Sequence, residues 1–254
     1  MTTVAASHRS IAEQQPAPAA GVRVDGVVKA FGDVRALDGL SLRVERGEVV
    51  AVVGPSGCGK STLLDLVCGL ATPDAGIVAA APATLMPQRD ALLPWLSAED
   101  NAGLALRMRG TSRAQAREAA RPYFAAFGLA GFERARPAEL SGGMRQRVAF
   151  LRTLLAGTPV LCLDEPFGAL DALTRVQMRE WLGGALRREP RTVVLVTHDV
   201  EEAVALADRI VLLSARPGRV VETIDVDLPR PRRRGDHAVV DLAGRALRAL
   251  GVDA

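Results

Sequence analysis

Two short parts of this chain place chemistry-bearing residues at fixed spacing. The first is Gly54-Pro55-Ser56-Gly57-Cys58-Gly59-Lys60-Ser61-Thr62, where glycines crowd around one lysine and the run ends on two hydroxyls. The second is a pair of apolar runs that stop on ionisable residues. Val160 to Leu163 ends on Asp164 and Glu165, and Thr192 to Thr197 ends on His198. A glycine-rich turn lets successive backbone N–H groups face an anion, and the dipole of a following helix adds to the attraction. In the pattern G-x-x-x-x-G-K-[ST], Lys60 reaches the outer phosphates of a nucleoside triphosphate and the Ser61 hydroxyl ligates Mg²⁺. Asp164 then has the chemistry to hold that Mg²⁺ through water. Glu165 can orient or deprotonate an attacking water, and His198 can donate a hydrogen bond to a terminal phosphate and so sense it.

Lysine usage singles out the same place. Of 32 basic residues only Lys29 and Lys60 are lysine, and the other 30 are arginine. A lysine at position 60 marks a site that needs a compact ammonium on a flexible stem rather than a planar fork. Cys58 reads as a small loop residue rather than a nucleophile.

These residues need elements to position them. Val49 to Val53 reads as a buried strand and Thr62 to Cys68 as a helix, which is the strand–loop–helix context that a phosphate-binding loop requires. Three continuous apolar runs separated by helical segments imply a parallel sheet covered on both faces, with ligands at the carboxyl ends of its strands. Leu40, Leu42 and Val44 alternate with polar residues, as do parts of Val220 to Leu228 after the turn Arg216-Pro217-Gly218-Arg219. Both ends therefore contribute antiparallel strands. Residues 97 to 139 are helix-rich. In Leu140-Ser141-Gly142-Gly143-Met144, Ser141 is a helix cap, and a helix over Gly142 to Ala156 stops at Gly157 and Pro159. Its free N–H groups and small residues allow close approach to an anion. A short amphipathic helix, Val239 to Leu250, closes the chain.

Composition sets outer bounds. A chain of 254 residues with 48% hydrophobic content can bury a large core. A net charge of +3 from 32 basic and 29 acidic residues gives no case for nucleic acid. The run Arg-Pro-Arg-Arg-Arg at 230–234 reads as a solvated basic linker. Cys58, Cys68 and Cys162 are odd in number, which suits a reducing compartment better than a disulfide framework. No apolar stretch approaches the length of a membrane span, and residues 1–20 read as a disordered tail without a secretory pattern.

Taken together, these motifs in this order resemble the ATP-binding cassette (ABC) ATPases, the nucleotide-binding subunits of membrane transporters, over residues 22 to 225. The fold implied is an α/β P-loop NTPase with a mixed, mainly parallel core sheet, an antiparallel β-subdomain and a helical subdomain at about 97–156. The cassette would span 21–229, and a linker with a terminal helix 230–254. Leu140 to Met144 matches the family signature, with methionine for the commoner glutamine. By the resemblance Gln88 contacts Mg²⁺ and communicates with a permease, Phe31 stacks on adenine, and Ala169-Leu170-Asp171 is the D-loop. ATP and Mg²⁺ are the implied ligands. The implied partners are a second cassette, whose ATP is closed over by Ser141, Gly142 and Gly143, a separate membrane permease at the cytoplasmic face, and, indirectly, an extracytoplasmic solute-binding protein. Residues Gln88 to Trp95 would form much of the permease-facing surface.

One departure is that Gln88 follows Lys60 by only 28 positions, so Gly76 to Gln88 must supply the intervening strands in few residues. DNA-maintenance relatives carry a long coiled coil, for which the 80 positions from Ser61 to Ser141 leave no room. The segments ALLPWLSAEDN, FGALDALTR and PGRVVETIDVDLPRPR look like cassettes of the nitrate, sulfonate and taurine importer group. Import of a thiamine pyrimidine precursor, or a regulatory ABC ATPase that transports nothing, remain alternatives.

Overall fold

The computed structural model describes residues 21–168, 170–233 and 235–251. The expected tail at 1–20, Ala169 of the expected D-loop and Arg234 of the basic run lie outside the described residues.

The strongest apolar runs become the centre of the molecule. β3 (Val49–Val53), β6 (Val160–Asp164) and β7 (Thr192–Thr197) lie with β5 (Ala83–Met86) and β8 (Arg209–Leu213) in one parallel sheet. The order is β5-β6-β7-β3-β8-β9, and β9 (Val220–Asp225) runs antiparallel to β8 at the edge. Alternate side chains of each strand feed two cores. Val50, Val52, Cys162, Val194 and Val196 pack with α1 (Lys60–Val67) and the first strands. Val49, Ala51, Val53, Leu161, Leu163 and Leu195 face the other helices. Burial on both faces is the reason these strands carry no polar alternation.

β1 (Val22–Phe31), β2 (Val34–Val44) and β4 (Ala75–Ala80) form a separate antiparallel sheet in the order β2-β1-β4. The short interval before Gln88 is managed economically. β4 belongs to the small sheet, and after Ala81 and Pro82 the chain enters the core sheet as β5.

The helix-rich segment is an arm of α2 (Ala98–Ala102), α3 (Leu104–Met108), α4 (Arg113–Ala126) and α5 (Gly142–Leu155). Asp100, fully buried, is clamped by Arg113 and by Arg117, the latter at 2.7 Å. These guanidinium groups hold its carboxyl well below the usual carboxylate range. An aromatic cluster fixes the arm to α6 (Ala172–Arg188), with Trp181 meeting Phe127 at 4.8 Å and Phe150 at 5.3 Å between ring centroids, both edge-on.

The basic run departs from the solvated-linker reading. Arg232 donates to the carbonyls of Val204 (2.7 Å), Ala207 (2.5 Å), Val226 (2.9 Å) and Leu228 (3.0 Å), and so satisfies the end of α7 (Val200–Leu206). Arg230 donates to Leu206 O and pairs with Asp208. A fork of five donors is suited to collecting orphan carbonyls at a helix end. The segment thereby anchors α8 (His237–Ala249), which starts two residues before the expected Val239.

Candidate functional site

The loop between β3 and α1 is held in a shape that its glycines make possible. Gly57 and Gly59 have φ of +76° and +100°, where an L side chain would be strained. At Gly59 a Cβ would also meet Leu37 at 2.7 Å and the Ala36 carbonyl at 2.8 Å, so the loop lies directly against β2. Lys60 is buried, and its ammonium donates to Gly54 O (2.7 Å) and Pro55 O (3.0 Å). Cys58 points into the core, where burial pushes its thiol pKa up, as expected for a non-nucleophile.

A cleft of about 410 Å³ opens above this loop. Phe31, Val34 and Ala36 form one wall, Ser56, Gly57 and Gly59 to Thr62 the floor, and Gln88, Asp164 and Glu165 the far side. Phe31 ends β1 and is 55% exposed, with the Lys29 ammonium 5.5 Å from its ring centroid. Gly54, Pro55 and Cys58 do not line the cleft.

Asp164 and Ser61 both line the cleft. Burial pushes the Asp164 carboxyl pKa up, the nearby Ser61 hydroxyl opposes this, and the neighbouring Glu165 charge adds to it. Two adjacent carboxylates, a serine hydroxyl and an amide at the base of a phosphate-shaped loop fit a hard, oxygen-seeking dication such as Mg²⁺. Glu165 has φ of +42°, uncommon for a non-glycine residue and a conformation of the kind that concentrates at functional sites. The turn aims its carboxylate between two partners. Gln88 Nε2 donates to Oε2 at 3.0 Å, and His198 Nδ1 stands 3.2 Å from Oε1. The ends of β5, β6 and β7 thus converge on one carboxylate.

Three lining residues were not expected from the sequence, the apolar Val34 and Ala36 of β2 and the charged Arg216, whose segment read only as a turn. Arg216 Nε donates to Gly57 O at 3.1 Å. Two positions on, a Cβ at Gly218 would stand 2.2 Å from Cys58 O, while Gly218 N donates to Ala36 O at 2.9 Å. The β8–β9 turn therefore clamps the phosphate loop to β2. An arginine beside Pro-Gly in a turn after a core strand was the available signal.

Ser141, Gly142, Gly143 and Asp171 stand apart from the cleft. Ser141 caps α5 by accepting from Met144 N at 3.2 Å, and Asp171 caps α6 by accepting from Thr174 N at 3.0 Å. Gln146 of α5 donates to Pro166 O at 2.7 Å, which ties that helix to the turn after Glu165. Of the apolar group after Gln88, Trp95 is exposed, but Leu92 is buried in the core with the arm, which removes it from the expected docking surface.

Comparison with known proteins agrees with the geometry. The ABC transporter family matches residues 37–168. An aliphatic sulfonates import ATP-binding protein, SsuB 1 of Rhizobium johnstonii, is 45% identical over 95% of this chain and 90% of its own. The chain belongs to the ABC transporter ATPases. SsuB 2 of Pseudomonas aeruginosa is 46% identical over 87% of this chain and 81% of its own. Among solved structures, the dimeric MJ0796, a bacterial ABC transporter cassette, superposes with a TM-score of 0.71 at 29% identity. It covers 82% of this chain and all of that one. A second MJ0796 dimer holds ADP and Pi, with a TM-score of 0.70. The ABC ATPase fold, ATP as ligand and ATP hydrolysis as the family activity follow. Among the described residues no helix is long and apolar enough to cross a membrane.

Proposed function

We propose that this ABC ATPase is the nucleotide-binding subunit of an importer for a small organic anion of the aliphatic sulfonate type. It would work at the cytoplasmic face through a separate permease fed by an extracytoplasmic binding protein. The observation that carries the hydrolytic part is the convergence of Gln88, Glu165 and His198 beside the Lys60 loop. Phe31 offers a face for adenine, the loop N–H groups and Lys60 hold the phosphates, and Glu165 accepts the proton of the attacking water. His198 contacts the terminal phosphate and keeps Glu165 aimed. Ser61, Asp164 and Gln88 would hold Mg²⁺, which neutralises charge on the phosphates. Gln88, next to Glu165 and at the start of the segment leading to Trp95, would report the site's state to the permease.

In-chain contacts favour a signature that acts on a neighbour's ATP. A Cβ at Gly143 would press on Thr174 at 3.0 Å, so its own chain requires that glycine. At Gly142 the nearest atom would be Leu170 at 3.6 Å, an ordinary contact, so close approach by another molecule explains the absent side chain better. The importer reading rests on the named relatives. It is tested by deleting the gene and supplying alkanesulfonates as sole sulfur source, with complementation by the parent and by Glu165→Gln. Growth restored only by the parent supports it. Unimpaired growth of the deletion strain on every alkanesulfonate would remove the substrate, and in that case nitrate and pyrimidine-precursor uptake are measured next.

A further inference from the structure

Glu202 has no part in the site as described, yet it is 3% exposed at the first turn of α7. An unpaired carboxylate there would be costly, so its contacts should have a purpose. It accepts a hydrogen bond from Thr197 Oγ1, and the same Thr197 oxygen accepts from Asp199 N at 3.0 Å. His198 is the residue between them. Asp199 in turn caps α7 by accepting from Glu201 N (2.9 Å) and Glu202 N (3.2 Å). Both peptide neighbours of the sensor are thereby held from behind. The other oxygen, Oε1, has no hydrogen-bond partner among the described residues, and neither has Nε of Arg175. Arg175 and Arg179 of α6 both favour the charged form of Glu202.

We infer that Glu202 is a positioning residue for His198, fixing through Thr197 the β7–α7 turn, which Arg179 of α6 meets from the other side at 3.9 Å from both Asp199 and Glu201. Because α6 is capped by Asp171, this gives the sensor a mechanical link to the last residue of the expected D-loop. Resting on the hydrolytic reading above, it adds regulation of that site. The carboxylate form compels Thr197 to donate to Glu202 and leaves its lone pairs for Asp199 N. The protonated form can itself donate, which frees the threonine rotor. Burial, with Asp199 adding, pushes the Glu202 pKa up to about 7, while Thr197, Arg179 and Arg175 oppose the rise. The other charged group nearby is Glu201, 3.9 Å from Arg179. The sensor's geometry would therefore loosen as pH falls through neutrality.

The test is steady-state ATPase kinetics of the parent, Glu202→Gln, Thr197→Val and Thr197→Ser over about pH 6 to 8. Loss of the hydroxyl in Thr197→Val, and in Glu202→Gln an amide whose NH2 can take the place of the acceptor that compels Thr197 to donate, should each lower kcat about ten-fold. KM for ATP should stay within about two-fold, because the phosphate loop is untouched. Thr197→Ser keeps the hydroxyl and should keep parental turnover. In the parent, kcat should fall toward low pH, and Glu202→Gln should lose that limb. Equal kcat and an unchanged pH limb in Glu202→Gln overturn the inference, since the limb then belongs to another group. Should Glu202→Gln fail to fold, the threonine pair decides: Thr197→Val matching Thr197→Ser overturns it, and a ten-fold gap supports it. A parent that does not hydrolyse ATP at all would sink the hydrolytic reading instead.

Discussion

Replacing Gly142 with alanine separates what the chain needs for itself from what it needs for a partner. Gly142 is the first residue of α5, and an added Cβ would make contacts of 3.6 Å with Leu170 and 3.9 Å with Arg145. Neither is a clash. Alanine exceeds glycine in helix propensity by up to about 1 kcal/mol, less at a first turn, so the variant should be as stable as the parent or slightly more so. Gly143→Ala is the contrast. Its Cβ would lie 3.0 Å from Thr174 Cγ2 and 4.0 Å from Met178 Sδ on α6, and overpacking of this kind costs about 1–3 kcal/mol before the propensity gain is subtracted. Denaturant unfolding should therefore rank Gly142→Ala at or above the parent and Gly143→Ala below both. Activity should not follow stability. If Gly142 is small because a partner's phosphate and loop must come close, Gly142→Ala should lose ATP turnover at least ten-fold, equivalent to about 1.4 kcal/mol of transition-state binding. It should also fail to dimerise with ATP in a Glu165→Gln background, as read by light scattering after size exclusion. Parental turnover and parental dimerisation in Gly142→Ala would refute the reasoning.

Glu165→Gln should bind ATP normally and lose turnover by roughly 10²–10⁴-fold, because the amide preserves an acceptor for Gln88 but cannot take a proton. Nucleotide binding and phosphate release measured side by side check this. Asp100→Asn should destabilise the arm by roughly 2–4 kcal/mol at neutral pH, since it strips a buried partner from Arg113 and Arg117. The sign follows from a folded-state pKa held below the ordinary 3.8. The contribution is present above that value and lost as pH falls through the lower folded pKa, so parent and variant unfolding midpoints should converge in acid. Arg232→Ala should cost roughly 2–4 kcal/mol through four abandoned carbonyls, whereas Arg233→Ala should stay within about 0.5 kcal/mol. Equal effects at the two positions in thermal unfolding would contradict the anchoring of the linker.

The site was legible in the sequence wherever one element carried the whole signal. Gly54 to Thr62 is a contiguous loop whose residue types state their own geometry, and β3, β6 and β7 announce burial through uninterrupted apolar runs. The cap at Ser141 was visible because capping is a local interaction. What escaped needed two distant segments at once. Arg232 looks like any other member of a basic run until the end of α7 is folded beside it, 25 residues away in sequence at Ala207. Arg216 looks like turn decoration until Gly57 lies against it, 159 residues away. Leu92 resembles Trp95 in composition, yet only one of them meets the core of the arm. Arginine abundance hid these roles further. In a chain with 30 arginines a carbonyl-collecting arginine has no distinguishing mark, while the two lysines stand out.

Lys60 makes the same point from the energetic side. Its ammonium lies among carbonyls of its own loop, so a triphosphate bound there would not have to order a long free side chain. The loop is itself clamped by Gly218 and Arg216 on one side and by β2 on the other, so its N–H groups are set before any phosphate arrives. Glu165 is likewise already in contact with both Gln88 and His198. What one chain does not bring to the cleft is its own signature. A pre-ordered half-site of this kind binds nucleotide without large rearrangement and leaves the free energy of closure to a second surface, here proposed to be another copy of the chain. Ligand contacts absent from either half alone then make association depend on the nucleotide, and removal of the terminal phosphate withdraws them. Among the positions that would carry that dependence is Ser141, exposed in the single chain.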